Sequence, residues 1–291
     1  MTFVMWSDDG MSFENSQSVT LGDLTFDVHV AGPEDGPPVV LLHGFPTTAE
    51  SWSEVVPVLV EAGLRVVVPN QRGYSPGARP TGVDQYATDV LATDVLDIAE
   101  ALDLGPFHLV GHDWGASVAW VVAARHPDRL LSLTTFSVPH LVAYNHAMRT
   151  DEDARERASY IRLFRTEGKA EHLLLEDDAR RLRAMYEGAI PDRLVETYVS
   201  TLQEPGALTA ALNWYRAMSA DLAELPTVTV PTTFMWSDQD LAIGRAGADA
   251  CGEHVDAPFE YVVLEGVTHW IPEQAPQAAA EAILARVAHG R

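Results

Sequence analysis

An aspartate occupies the place where a sharp turn would expose a nucleophile. In LVGHDWGAS, residues 109–117, Gly111 and Gly115 frame Asp113. Small residues at those two positions let a strand turn tightly into a helix and push the central side chain toward substrate, a role more often given to serine. A serine alkoxide attacks carbonyl carbon. A carboxylate is a poor nucleophile toward amides, but it displaces a leaving group from saturated carbon and leaves an ester whose acyl carbon belongs to the protein. The chemistry expected at Asp113 is therefore alkylation followed by ester hydrolysis.

Three other polar stretches end apolar runs: HGFP at His43 to Pro46, SDQD at Ser237 to Asp240, and GVTHW at Gly266 to Trp270. In an open parallel sheet, ligands bind at the carboxyl ends of the strands, so these ends are where chemistry belongs. Asp113, Asp240 and His269 follow the order nucleophile, acid, base. His269, oriented by Asp240, would activate water against the Asp113 ester. Asp238 competes with Asp240, but its spacing suits a cap on its own turn.

The elements that must hold these residues alternate. LTFDVHVAG, residues 24–32, alternates apolar and polar positions like an antiparallel strand, whereas PVVLLHG (38–44) and RVVVPNQRG (65–73) are continuous apolar runs suited to buried strands. Helical spacing over residues 84–104 precedes another strand at FHLVGHD, and strands return at residues 231–240 and 259–270, before a last helix at about 275–288. This alternation predicts an α/β fold with a mainly parallel sheet flanked by helices. From about Leu141 to Ala220 the strand signal is absent, and DEDARERASYIRLFR and DDARRLRAMYEG read as helices. The expected division is a core of residues 1–140 and 221–291 with a helical cap of residues 141–220.

Composition narrows the function. With 42 Asp and Glu against 19 Lys and Arg, the formal charge of −23 repels phosphate backbones and anionic lipid. Nucleic acid and membrane partners are not expected. The first residues, MTFVMWSDDGMSF, lack a secretion signal, no apolar run is long enough to span a bilayer, and the single Cys251 suits a reducing, cytoplasmic compartment. The histidines show no metal-ligand spacing and the glycines no dinucleotide or phosphate loop, so neither metal nor cofactor is expected.

Together the four strand-end motifs and the helical insertion resemble the α/β-hydrolase fold, and within it the epoxide hydrolases, over nearly the whole chain. SYIRLFR (159–165) and LNWYRAM (212–218) are similar to the cap segments that carry the ring-opening tyrosine pair of that family. The resemblance implies that Tyr160 and Tyr215 donate to the epoxide oxygen, and that the backbone N–H groups of Phe45 and Trp114 form the oxyanion hole. His43, Pro46, Trp114 and Trp270 would line the substrate site. The substrate implied is a small hydrophobic epoxide, with water as the second reactant, in a monomer or homodimer. Haloalkane dehalogenases are the nearest rival. They need a halide cradle, for which Trp114 supplies one indole N–H while Phe45 supplies no side-chain donor. Fluoroacetate-type dehalogenases place Arg where Trp114 stands. A binding module that keeps the pocket without turnover is the alternative outside enzymology.

Overall fold

The computed structural model describes residues 16–289 apart from Glu187, Ala220, Asp221 and Ala223. The N-terminal reading above, and the carboxyl boundary expected for the cap, therefore lie outside the described residues. Eight strands form one sheet: β1 (Ser16–Leu21), β2 (Leu24–Ala31), β3 (Pro38–Leu42), β4 (Arg65–Pro69), β5 (Phe107–His112), β6 (Leu130–Phe136), β7 (Thr232–Ser237) and β8 (Phe259–Leu264). Their order is β1-β2-β4-β3-β5-β6-β7-β8. β2 pairs antiparallel with both β1 and β4, and the remaining neighbours are parallel.

The continuous apolar runs follow from helices covering both faces. Successive side chains of a strand point to opposite sides. Val40 and Leu42 of β3 thus join the core formed with α2 (Thr88–Ala101) and α3 (Trp114–Arg125). Val39 and Leu41 join the opposite core with α1 (Val56–Glu61) and α12 (Pro276–His289). On β1, at the sheet edge, most residues are exposed.

Between β6 and β7 the chain is helical from Leu141 to Arg216: α4 (Leu141–Thr150), α5 (Glu152–Arg157), α6 (Ile161–Phe164), α7 (Lys169–Ala184), α8 (Asp192–Gln203) and α9 (Ala207–Arg216). Three expected helices depart from expectation, and in DDARRLRAMYEG the first residues Asp177, Asp178 and Ala179 take left-handed φ of 53°, 58° and 55°, a kink inside α7. DEDARERASYIRLFR divides into α5, a 3-10 turn at Ala158–Tyr160 and α6. The helix expected over 84–104 begins only at Thr88, because Tyr86 is buried with its hydroxyl on the Pro80 carbonyl (2.8 Å) and Ala87 is extended. Two short helices, α10 (Arg245–Asp249) and α11 (Ile271–Gln274), follow β7 and β8.

Polar bonds fasten the inserted helices over the sheet ends. Tyr186 donates to the Pro46 carbonyl at 2.8 Å and Trp214 Nε1 to the Arg72 carbonyl at 3.0 Å. Arg72 is itself held by a buried two-pronged ion pair with Asp94. Arg157 donates to the carbonyl of Asp240.

Candidate active site

Asp113 sits between the last residue of β5 and the first of α3, with φ 53° and ψ −120°. A non-glycine residue so placed carries roughly 1–3 kcal/mol of backbone strain, which the surrounding packing must offset. The glycines explain how. A Cβ on Gly111 would stand 2.3 Å from the Gly115 carbonyl oxygen, and one on Gly115 2.2 Å from that of Leu42. At Gly44 it would lie 2.4 Å from Asp113 Cβ and Oδ1. The loop after β3 can therefore pass directly over the carboxylate, and Phe45 N–H donates to Asp113 Oδ1 at 2.8 Å. Trp114 opens α3, so its N–H has no intrahelical acceptor and lies at the positive end of the helix dipole.

His269, on the loop after β8, faces two carboxylates. Its Nδ1 is 2.8 Å from Asp240 Oδ2 and its Nε2 is 3.4 Å from Asp113 Oδ2. Asp240 is fully buried, and its other oxygen accepts from the N–H groups of Ala242 and Ile243 at 2.8 and 2.9 Å. Asp238 instead accepts from Gly266 N–H at 2.8 Å, tying two loops together. The backbone of His269 is fixed as well, since its carbonyl accepts from His112 Nε2 at 2.8 Å and Ser137 Oγ at 3.0 Å.

Burial alone would raise the Asp113 carboxyl, but the hydrogen bond and charge of His269, the charge of His112 and the Phe45 N–H together hold it below the usual carboxylate range. Burial would lower His269, yet Asp240 and Asp113 lift it well above an ordinary imidazole. Each group thus favours the charged form of the other across the 3.4 Å between Nε2 and Oδ2.

One cavity over Asp113 is lined by Trp114, Tyr144, Tyr160 and Tyr215, with apolar walls such as Val138 and Ile161. Tyr215 stands edge-on to Phe45 at 5.3 Å and to Trp114 at 5.0 Å, and its ring is 6.2 Å from that of Tyr160. Burial pushes both phenols well above 10. Tyr144, on α4, is a third phenol in this cavity that sequence reasoning missed; only its position on the cavity-facing side of the helix distinguishes it.

His43, Pro46 and Trp270 do not line that cavity. His43 is buried beside Gly44, with Nδ1 bonded to the Gly44 carbonyl and Nε2 accepting from Gln71 N–H; burial depresses it to about 4, so it braces the loop as a neutral ring. Trp270 packs edge-on against His269 at 5.1 Å. A wider, open cleft of about 540 Å³ lies beside Arg72 and Asp94 and contains none of Asp113, Asp240 and His269. Among the described residues, no three His, Cys, Asp or Glu side chains are grouped to hold a metal ion, and no helix is long and apolar enough to cross a membrane. Cys251 is buried and its thiol is pushed up to about 12, too weakly acidic to act as a thiolate.

Comparison with known proteins places this geometry in a family. Residues 37–276 match the model of the alpha/beta hydrolase fold. The chain is 34% identical to the AB hydrolase superfamily protein YfhM of Bacillus subtilis, over 92% of this chain and 96% of that one. It is 30% identical to epoxide hydrolase A of Mycobacterium tuberculosis, over 87% and 91% of the two chains. A solved structure reported among novel epoxide hydrolases in metagenomes from hot environments superposes with a TM-score of 0.84 at 29% identity, covering 95% of this chain and 99% of that one. The chain belongs to the α/β-hydrolase superfamily and, within it, to the epoxide hydrolase family.

Proposed function

We propose that this protein hydrolyses an epoxide to a vicinal diol through an ester on Asp113, without a cofactor, beneath a helical cap formed by residues 141–220. The observation that carries the reading is the meeting of a carboxylate and two phenols in one cavity: Asp113 on its floor, Tyr160 and Tyr215 from the inserted helices.

Asp113 Oδ1 is engaged by Phe45 N–H, which leaves Oδ2 to attack a ring carbon. As that C–O bond forms, the epoxide C–O bond breaks, and the departing alkoxide takes a proton from a phenol. Without that proton the leaving oxygen is too basic to depart readily, which is why a general acid is needed. Water then attacks the ester carbonyl and gives a proton to His269, while the N–H groups of Phe45 and Trp114 hold the developing oxyanion. Losing one such donor typically costs about 2.7–4 kcal/mol of transition-state stabilisation. Collapse breaks the acyl C–O bond and restores the Asp113 carboxyl. Of the two water protons, one ends on the diol and one on the tyrosinate.

Halide release from a haloalkane is less well supported. Trp114 brings one indole to the cavity, but the indole N–H of Trp214 is committed to Arg72, and Asn145 Nδ2, also at the cavity, donates to the Leu141 carbonyl at 2.8 Å. The deciding experiment is the intact mass of His269→Gln after incubation with styrene oxide. An adduct of one epoxide mass, mapped to Asp113, is expected because the variant alkylates but lacks the base. No adduct with styrene oxide, but one with short bromoalkanes, would transfer the reading to dehalogenation; no adduct with either would favour a binding module.

A further inference from the structure

Behind His269, α11 carries a carboxyl that the steps above do not use. Glu273 is only 7% exposed. Its Oε1 accepts from Tyr198 Oη at 3.2 Å, while Oε2 is buried with no hydrogen-bond partner among the described residues. Burial raises its carboxyl to about 7, although its own backbone N–H, Tyr198 and the charge of His269 favour the ionised form.

One helical turn earlier, Trp270 Nε1 is a buried donor that also has no partner among the described residues. Gln274 N–H to the Trp270 carbonyl, at 2.8 Å, closes that turn, with Trp270 as the cap of α11. The 3-10 turn Ala49–Trp52 packs on α11 and adds Ser51 Oγ and Trp52 Nε1, buried and likewise unpartnered. Most buried polar groups find partners, and a cluster of unmatched donors and acceptors is the setting in which proteins hold internal water, which makes about three hydrogen bonds.

Aromatic rings connect these unpartnered groups to the loop after β3. Tyr186, whose hydroxyl is bonded to the Pro46 carbonyl, packs against Trp270 at 5.2 Å and Tyr198 at 5.7 Å. Neither Glu273 nor Trp270 lines the apolar cavity over Asp113. Because Trp270 packs on His269 at 5.1 Å, water held here would lie on the histidine side, apart from the substrate cavity.

We propose that Glu273 is a positioning residue for ester hydrolysis, holding with Trp270 the internal water from which the attacking molecule is drawn. Glu273 exchanges no proton in this role; His269 remains the base. The inference rests on the covalent reading above.

The test is rapid-quench intact mass spectrometry with styrene oxide on the native protein, Glu273→Leu, Glu273→Gln and Tyr198→Phe. The adduct should form at the native rate in all three variants. Its decay should slow about tenfold in Glu273→Leu, a smaller effect than loss of a general base itself. Glu273→Gln, whose amide oxygen still accepts from water, should decay within about threefold of native, and a purely structural role gives no such rescue of one step alone. Native decay in Glu273→Leu, or equal slowing of formation and decay, would overturn the proposal. Should Glu273→Leu fail to fold by thermal unfolding, Tyr198→Phe decides: several-fold slower decay with unchanged formation supports the role, and native decay overturns it. Failure of the covalent reading shows differently, as the absence of adduct in His269→Gln.

Discussion

The imidazole of His269 bridges two buried carboxylates, with Nε2 3.4 Å from Asp113 and Nδ1 2.8 Å from Asp240. Their charges lift its pKa and stabilise the nucleophile in return. In the proposed reaction, esterification of Asp113 would remove one of those charges, and so lower the pKa of His269 and prepare it as the base for the next step.

That coupling predicts a separation of the two steps by pH. Alkylation needs ionised Asp113, which is held below the usual carboxylate range, so it should persist into mildly acid solution. Hydrolysis needs neutral His269 and should slow as pH falls and the imidazole becomes protonated. Quenched single turnovers between pH 8 and pH 4.5 should show the adduct accumulating toward acid; a constant ratio of the two rates would refute the coupling.

Asp240→Asn should leave alkylation measurable and reduce hydrolysis by about 10³- to 10⁴-fold. An amide at 2.8 Å from Nδ1 presents a donor to the imidazole and favours the wrong tautomer. The measurement is the decay of the mass adduct, and a hydrolysis rate near native would remove Asp240 from the triad.

Tyr160→Phe and Tyr215→Phe should each slow ring opening about tenfold or more, and the double variant by roughly 10²- to 10⁴-fold, the range for loss of a general acid. Both phenols are pushed well above 10, so they stay protonated at neutral pH and cause no loss of donor on its alkaline side below pH 10. Pre-steady-state adduct formation checks the rates; an undiminished double variant would assign proton donation to another group, with Tyr144 the first to test.

Gly44→Ala places a methyl group 2.4 Å from Asp113 Cβ and Oδ1. The Asp113 side chain is held by Phe45 N–H and His269, so the loop or the carboxylate must shift, with an expected loss of roughly 1–3 kcal/mol for overpacking and at least tenfold in alkylation. Thermal unfolding and adduct formation measure the two effects independently.

Glu273 makes a stability prediction separate from its proposed role. Its carboxyl is raised from 4.5 to about 7, so the folded state binds more protons than the unfolded one between those values, and stability falls as pH rises through that window. The full span corresponds to about 3 kcal/mol. Glu273→Gln should lack this loss, and its denaturation midpoint should gain on the native protein from pH 4.5 to 7; parallel pH curves would place the Glu273 pKa near its ordinary value.

Much of the framework is local and was legible in the residues. Gly111 and Gly115 bracket Asp113 because a strand-to-helix turn leaves no space for Cβ atoms, and β3 and β4 are apolar throughout because helices cover both faces. β6 escaped notice, since LLSLTTF carries buried hydroxyls whose partners are distant in sequence, such as Ser132 Oγ with His108 Nδ1 at 2.7 Å. The unbroken helix expected through Tyr160 failed for a related reason: local periodicity cannot register the tighter 3-10 turn there.

The sequence by itself determined the family, the order of chemical groups along the chain and the strand ends that carry them, because each is written in neighbouring residues. Only the tertiary structure decided which groups meet. It turned Asp240 rather than Asp238 toward His269, brought Tyr160 and Tyr215 over Asp113, added Tyr144, and left Trp270 and Glu273 outside the apolar cavity. Those choices depend on how helices and loops far apart in the chain pack over the sheet, and the spacing of residues along any one segment does not contain them.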